Sequence, residues 1–109
     1  MSFKDRVHEI IRSFDIEMNV ADEVVRALER DPLWSVFLDA DKILQEKGDT
    51  YRVGGVSVWE LMSVDALFYA AIYKLERARV TTNLNKRIDD LLDAINYARY
   101  VVMRLRNET

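Results

Sequence analysis

Helix breakers are scarce in this chain, and its glycines are crowded together. In 109 residues there are three glycines and one proline, and all three glycines fall between Lys47 and Val56. Gly and Pro are the strongest local interruptions of a helix. On either side of that one stretch the backbone is therefore free to run helically for long distances. Apolar residues recur three and four apart through most of the sequence, the period of a helix buried along one face. The two features predict an all-α fold of about five helices.

Phe3, Val7, Ile10, Ile11 and Phe14 mark a first helix from Ser2 to about Phe14, with Ser2 as its cap and Asp5 in the first turn. A second is predicted over about Val20 to Arg30, capped by Asn19, with Val24, Val25 and Leu28 inward. Asp31-Pro32 reads as a cap followed by proline at the first helical position. The third helix is then expected to continue to Lys47, bury Trp34, Phe37, Leu38, Ala40 and Leu44, and stop at Gly48. Residues 49–56 are predicted to be the one long irregular connection. Ser57-x-x-Glu60 fits a capping box opening a fourth helix to about Arg79, with Leu61, Val64, Leu67, Phe68, Ala71, Ile72 and Leu75 inward. After a polar turn at Thr81–Asn85, a fifth helix to about Arg106 is expected to bury Ile88, Leu91, Leu92, Ile95, Ala98, Val102 and Leu105. Two long helices joined by a short turn predict an antiparallel hairpin, packed with the shorter N-terminal helices.

The length suits one domain over 1–109. With no cysteine, disulfides, thiolate chemistry and Cys-ligated metal sites are excluded. The net charge of −3 is divided unevenly: residues 1–56 carry 8 basic and 12 acidic side chains, residues 57–109 carry 8 and 7. No basic face reads as a duplex-DNA footprint. The charged N-terminus does not resemble a secretory signal, and no apolar run reaches membrane-spanning length, so a cytoplasmic protein without a membrane partner is expected.

Candidate chemistry is sparse. His8 is the only histidine, which rules out a two-histidine metal site within one chain, and it is expected at the surface. Gly54-Gly55 lacks the Lys-Ser/Thr of a phosphate loop. On the fifth helix, Asp89, Asp93, Asn96 and Tyr100 share one side, and Asp90 and Asp93, three apart, can converge on one hard cation such as magnesium. Acids early in a helix also simply oppose its dipole. Lys74, Arg77, Arg79, Lys86 and Arg87 cluster around the turn with only Glu76 against them, either as a phosphate-binding corner or as solvated cations suited to a helix C-terminus. Tyr51, Trp59, Tyr97 and Tyr100 are among the aromatics that could stack a base or fill a core.

The order Lys47-Gly-Asp-Thr-Tyr51, Trp59, Tyr73-Lys-Leu-Glu-Arg77 and Arg87-Ile-Asp-Asp-Leu-Leu-Asp-Ala-Ile-Asn-Tyr-Ala98 resembles the nucleotide-modification-associated helical domains of phages and other viruses. These are distantly similar to MazG-like all-α nucleoside triphosphate pyrophosphohydrolases. The resemblance spans roughly residues 33–103. It implies nucleotide binding by Asp49, Tyr51, Lys74, Arg77, Asn96 and Tyr97, beside Gly48, and a magnesium site at Asp90 and Asp93. A Glu-x-x-Glu pair, expected on the helix before, is absent; that helix offers only Glu60, Asp65 and Glu76.

The expected function is therefore a nucleotide-binding helical protein, with a divergent or degenerate magnesium-dependent nucleoside triphosphate pyrophosphohydrolase as the activity that the resemblance implies. The missing acidic pair motivates an alternative, a non-enzymatic interaction or scaffolding module. Consecutive apolar residues from Phe68 to Tyr73 point all around their helix, which predicts a homodimer or higher homo-oligomer formed through the hairpin.

Overall fold

The computed structural model describes residues 3–13, 18–50 and 52–108, and these fall into two compact units, 1–42 and 43–109. The element order is α1 (Phe3–Ser13), α2 (Met18–Arg30), α3 (Trp34–Thr50), β1 (Arg52–Val53), β2 (Val56–Ser57), α4 (Val58–Leu61), α5 (Val64–Val80) and α6 (Leu84–Glu108). The all-α expectation holds, with one minimal β-hairpin added. No described helix is long and apolar enough to cross a membrane.

In the first unit α1 packs on α2. His8 is not a free surface residue: its ring is only 18% exposed, and Nε2 meets Asp22 Oδ1 at 2.9 Å, joining the two helices. Asn19 lies inside α2 and is not its cap, while the expected cap Ser2 and the end at Phe14 fall outside the described residues. Asp31 does cap: its Oδ1 accepts from the backbone N–H of Leu33 at 2.9 Å and Trp34 at 3.2 Å. Pro32 sits in the turn that precedes α3. Ala40 is buried as expected, but Trp34 and Phe37 are about half exposed, their rings 6.0 Å apart.

The second unit begins with the C-terminal part of α3. Gly48 does not end this helix, which runs on to Thr50. The expected irregular stretch instead closes as a two-residue hairpin, with Val53 paired to Val56. Its turn residues, Gly54 and Gly55, have φ of +59° and +81°, the left-handed pair that a tight hairpin with the natural strand twist requires.

Ser57 and Glu60 do not open a long helix. The Ser57 side chain makes no cap bond, and α4 ends after one turn because Met62 turns extended, with ψ of 142°. Arg104 of α6 holds that break open. Its guanidinium donates to the carbonyls of Met62 at 2.8 Å, Trp59 at 3.2 Å and Glu60, so the C-terminal carbonyls of α4 are satisfied without further helix. Helix α5 restarts from Ser63, whose Oγ accepts from Ala66 N–H at 3.1 Å. At the far end Asn83 Oδ1 caps α6 through Lys86 N–H at 3.1 Å, and Arg87 Nε reaches back to the Ala78 carbonyl at 3.0 Å.

Helices α5 and α6 form the expected hairpin. Arg77 meets Asp90, Lys74 meets Asp93 and the Met62 carbonyl meets Arg104, so each step back along α5 matches a step forward along α6. The helices are turned differently from the expectation, however. Of the apolar stripe assigned to the core of α5, Leu67 is fully buried, but Phe68, Ile72 and Leu75 are about half exposed. On α6 the stripe Leu84, Ile88, Leu91, Ala98, Val102 and Leu105 faces outward, with Ile95 intermediate. Its buried side carries Asp90, Asp93 and Asn96, at 3–5% exposure, with Leu92, Ala94 and Val101.

Candidate functional site

The inward side of α6 supplies the polar site of the second unit. Asp90 and Asp93, one turn apart, point between α5 and the last turns of α3, where three cations converge on them. Arg77 grips Asp90 in a bidentate pair, Nε to Oδ2 at 2.8 Å and Nη2 to Oδ1 at 2.6 Å. Lys74 lies 3.0 Å from Asp93 Oδ2 and 3.8 Å from Asp90 Oδ1. Lys47, from α3, bonds the other Asp93 oxygen. Arg77 also lies over the ring of Tyr73, 5.4 Å from its centroid.

Electrostatics follow from these contacts. The hydrogen bonds from Arg77 hold the Asp90 carboxyl below the usual carboxylate range, outweighing the burial that would raise it. Reciprocally, Asp90 and then Tyr73 raise the affinity of Arg77 for its proton. Burial, followed by the charge of Asp93, pushes the Tyr97 phenol upward; burial, followed by Glu60, does the same to Tyr100.

The ion-paired groups border an open groove of about 810 Å³, measured out to solvent. Lys86, Asp89 and Thr81 complete its rim. Four cations against three carboxylates leave a surplus of one positive charge. Beside it is a narrow slot between Leu44, Trp59, Tyr97, Tyr100 and Asn96, into which Lys47 and Asp93 also reach. Trp59 meets Tyr97 edge-on at 5.0 Å and leans on Tyr100 at 6.4 Å. The indole Nε1 of Trp59 is buried with no hydrogen-bond partner among the described residues. As it stands the slot holds about one water.

Of the residues expected to bind nucleotide, Lys74, Arg77, Asn96 and Tyr97 come together around this groove and slot. Tyr51 and the side chain of Asp49 lie outside the described residues. Asp90 and Asp93 stand together, but their oxygens face ammonium and guanidinium groups. Among the described residues no three acidic, histidine or cysteine side chains are grouped to hold a metal ion. A magnesium ion bridging Asp90 and Asp93 would have to displace Lys74. Lys47 is the residue that sequence reasoning missed. It lies 46 positions from Asp93, and no spacing rule links them.

Fold and site together define an all-α protein with a charged, solvent-reachable groove lined by an antiparallel helical hairpin. Compared with known proteins, the chain matches no family model, no curated protein and no solved structure.

Proposed function

We propose that the 43–109 unit binds a nucleotide, with phosphates in the Lys47–Lys74–Arg77 groove and the base at the Trp59–Tyr97–Tyr100 slot. The observation that carries this reading is that Lys47 and Asp93 line both the groove and the slot. A ligand with an anionic end and a flat aromatic end has chemistry for both. Phosphate oxygens suit the ammonium and guanidinium donors, the base suits aromatic faces, and the unpaired Trp59 N–H offers one further donor. Entry of the base needs a rotation of Trp59 or Tyr100, since the slot admits only about one water.

Binding is the core of the reading. Hydrolysis, on the pattern of the pyrophosphohydrolases to which the resembled family is distantly similar, requires magnesium at Asp90 and Asp93 in place of Lys74. The alternative, a non-enzymatic interaction module, draws on a different observation, the apolar stripe that α6 turns to solvent.

Calorimetric titration with nucleoside mono-, di- and triphosphates, with and without magnesium, separates these readings. The binding reading predicts heat of binding without magnesium that weakens as salt is raised, and at least a tenfold loss in Lys74→Met. Pyrophosphate release only with magnesium would add the hydrolytic step. Neither heat nor thermal stabilisation from any common nucleotide would sink the reading.

A further inference from the structure

The groove and the slot meet at Asp93, and the ion pairs around them differ in what they can release. Asp93 is held twice: Lys47 bonds Oδ1, and Lys74 lies 3.0 Å from Oδ2. Asp90 is gripped through both oxygens by Arg77, at 2.8 and 2.6 Å, with Lys74 farther off at 3.8 Å. The two carboxylates are only 5% and 6% exposed. A carboxylate so withdrawn from water is strongly destabilising once its cation is gone. Drawing Arg77 away would break both of its bonds to Asp90. Drawing away one of the two lysines leaves Asp93 with the other, and Asp90 with Arg77. The network can therefore release one lysine to an incoming anion, but not both.

We propose that this limit makes the ligand a nucleoside monophosphate, in preference to a triphosphate; the inference rests on the nucleotide-binding reading above. Space does not impose the limit, since the groove measures about 810 Å³. Its order of charges does. Lys47 and Asp93 border both slot and groove, so a phosphate attached to a base in the slot meets the released lysine first. A β- and a γ-phosphate would reach on toward Asp90 and the rim acid Asp89. There Arg77 is already committed to Asp90, and Lys86 on the rim is the remaining cation.

The overall charge agrees. Lys47, Lys74, Arg77 and Lys86 against Asp89, Asp90 and Asp93 give the groove a surplus of one positive charge. A phosphomonoester brings about −2 at neutral pH, close to what that surplus offsets. Each further phosphate adds negative charge beside carboxylates that repel it. Asp89 and Asp90 thus act against the longer phosphate chain, a repulsive element that sets specificity.

Calorimetric titration of the full chain with the mono- and triphosphates of adenosine, guanosine, cytidine and uridine, at constant ionic strength, tests this. EDTA is present throughout, because magnesium binds phosphates and masks their charge. For any base that binds, the monophosphate is expected to bind about tenfold tighter than the triphosphate. Asp89→Asn, at an exposed position on the rim, is expected to narrow that gap to about threefold by strengthening the triphosphate. A triphosphate that binds the unaltered chain as tightly as its monophosphate overturns the inference and leaves the nucleotide-binding reading standing. A gap that Asp89→Asn leaves unchanged overturns it as well, because the carboxylates are then not its cause. Binding of neither form, for all four bases, overturns both.

Discussion

Lys74 Nζ lies 3.0 Å from Asp93 Oδ2, and the two side chains are only 17% and 6% exposed. This contact ties α5 to α6 on the side that carries the groove. Asp93 also holds Lys47, so removing the carboxylate leaves two cations without it. Asp93→Ala is expected to destabilise the protein by about 2–3 kcal/mol, less than a fully buried pair would because Lys47 is a third exposed. Urea unfolding measures the loss. A change under about 0.5 kcal/mol would show the contact to be incidental.

Acid should act through Asp90. Its folded pKa is depressed by Arg77 relative to about 3.9 in the unfolded chain. The stabilisation is therefore present in full above that unfolded value. It is lost as pH falls through the depressed folded value. Thermal melts between pH 7 and 2.5 are expected to fall less steeply in Asp90→Asn. Parallel slopes for the two proteins would contradict the assignment.

Alkali should act through the slot. Tyr97 and Tyr100 have raised pKa values, so their contribution is present below the unfolded value near 10 and lost as pH climbs through the folded values. Phenolate absorbance in the folded protein is expected to include a late-ionising component that shrinks in Tyr97→Phe and again in Tyr100→Phe. If both variants keep that component, the slot is not its source.

The hairpin between β1 and β2 depends on two left-handed residues, Gly54 and Gly55. No atom stands within 4 Å of a Cβ added at either, so the cost of a side chain there is backbone strain alone. Gly55→Ala should cost about 1–2 kcal/mol, and Gly55→Asn distinctly less because Asn tolerates this region. Equal losses in the two variants, measured by thermal unfolding, would point to a steric cause instead.

What could be read from the sequence, and what could not, divides along physical lines. The α5–α6 hairpin was legible because Thr81–Asn85 is short and polar between two long periodic segments. The capping of α3 by Asp31 was legible because cap chemistry is local. Ser57 failed as a cap for a reason outside its neighbourhood: Arg104, far along the chain, binds the carbonyls that end α4, and Ser63 caps the next helix. Of the apolar set expected in the core on α6, Leu92 is buried and Ile95 half-buried, while Ile88, Leu91, Ala98, Val102 and Leu105 are exposed. Periodicity reports that one side of a helix is apolar, not which partner covers it. Lys74, Arg77, Asp90 and Asp93 were visible as a charged cluster around one turn. Lys47 was not, because a contact across 46 residues leaves no local pattern.

In the proposed function the polar inner side of α6, with Asp93 and Asn96, meets a nucleotide, and the apolar outer side does not. Titration of ATP into isotopically labelled protein, followed by amide and indole shifts, tests this most directly. Shifts are expected at Lys47, the Trp59 indole, Lys74, Arg77, Asp93, Asn96 and Tyr97, with Leu91 and Val102 unmoved at constant protein concentration. Shifts concentrated on the outer stripe, or none at millimolar nucleotide, would contradict it.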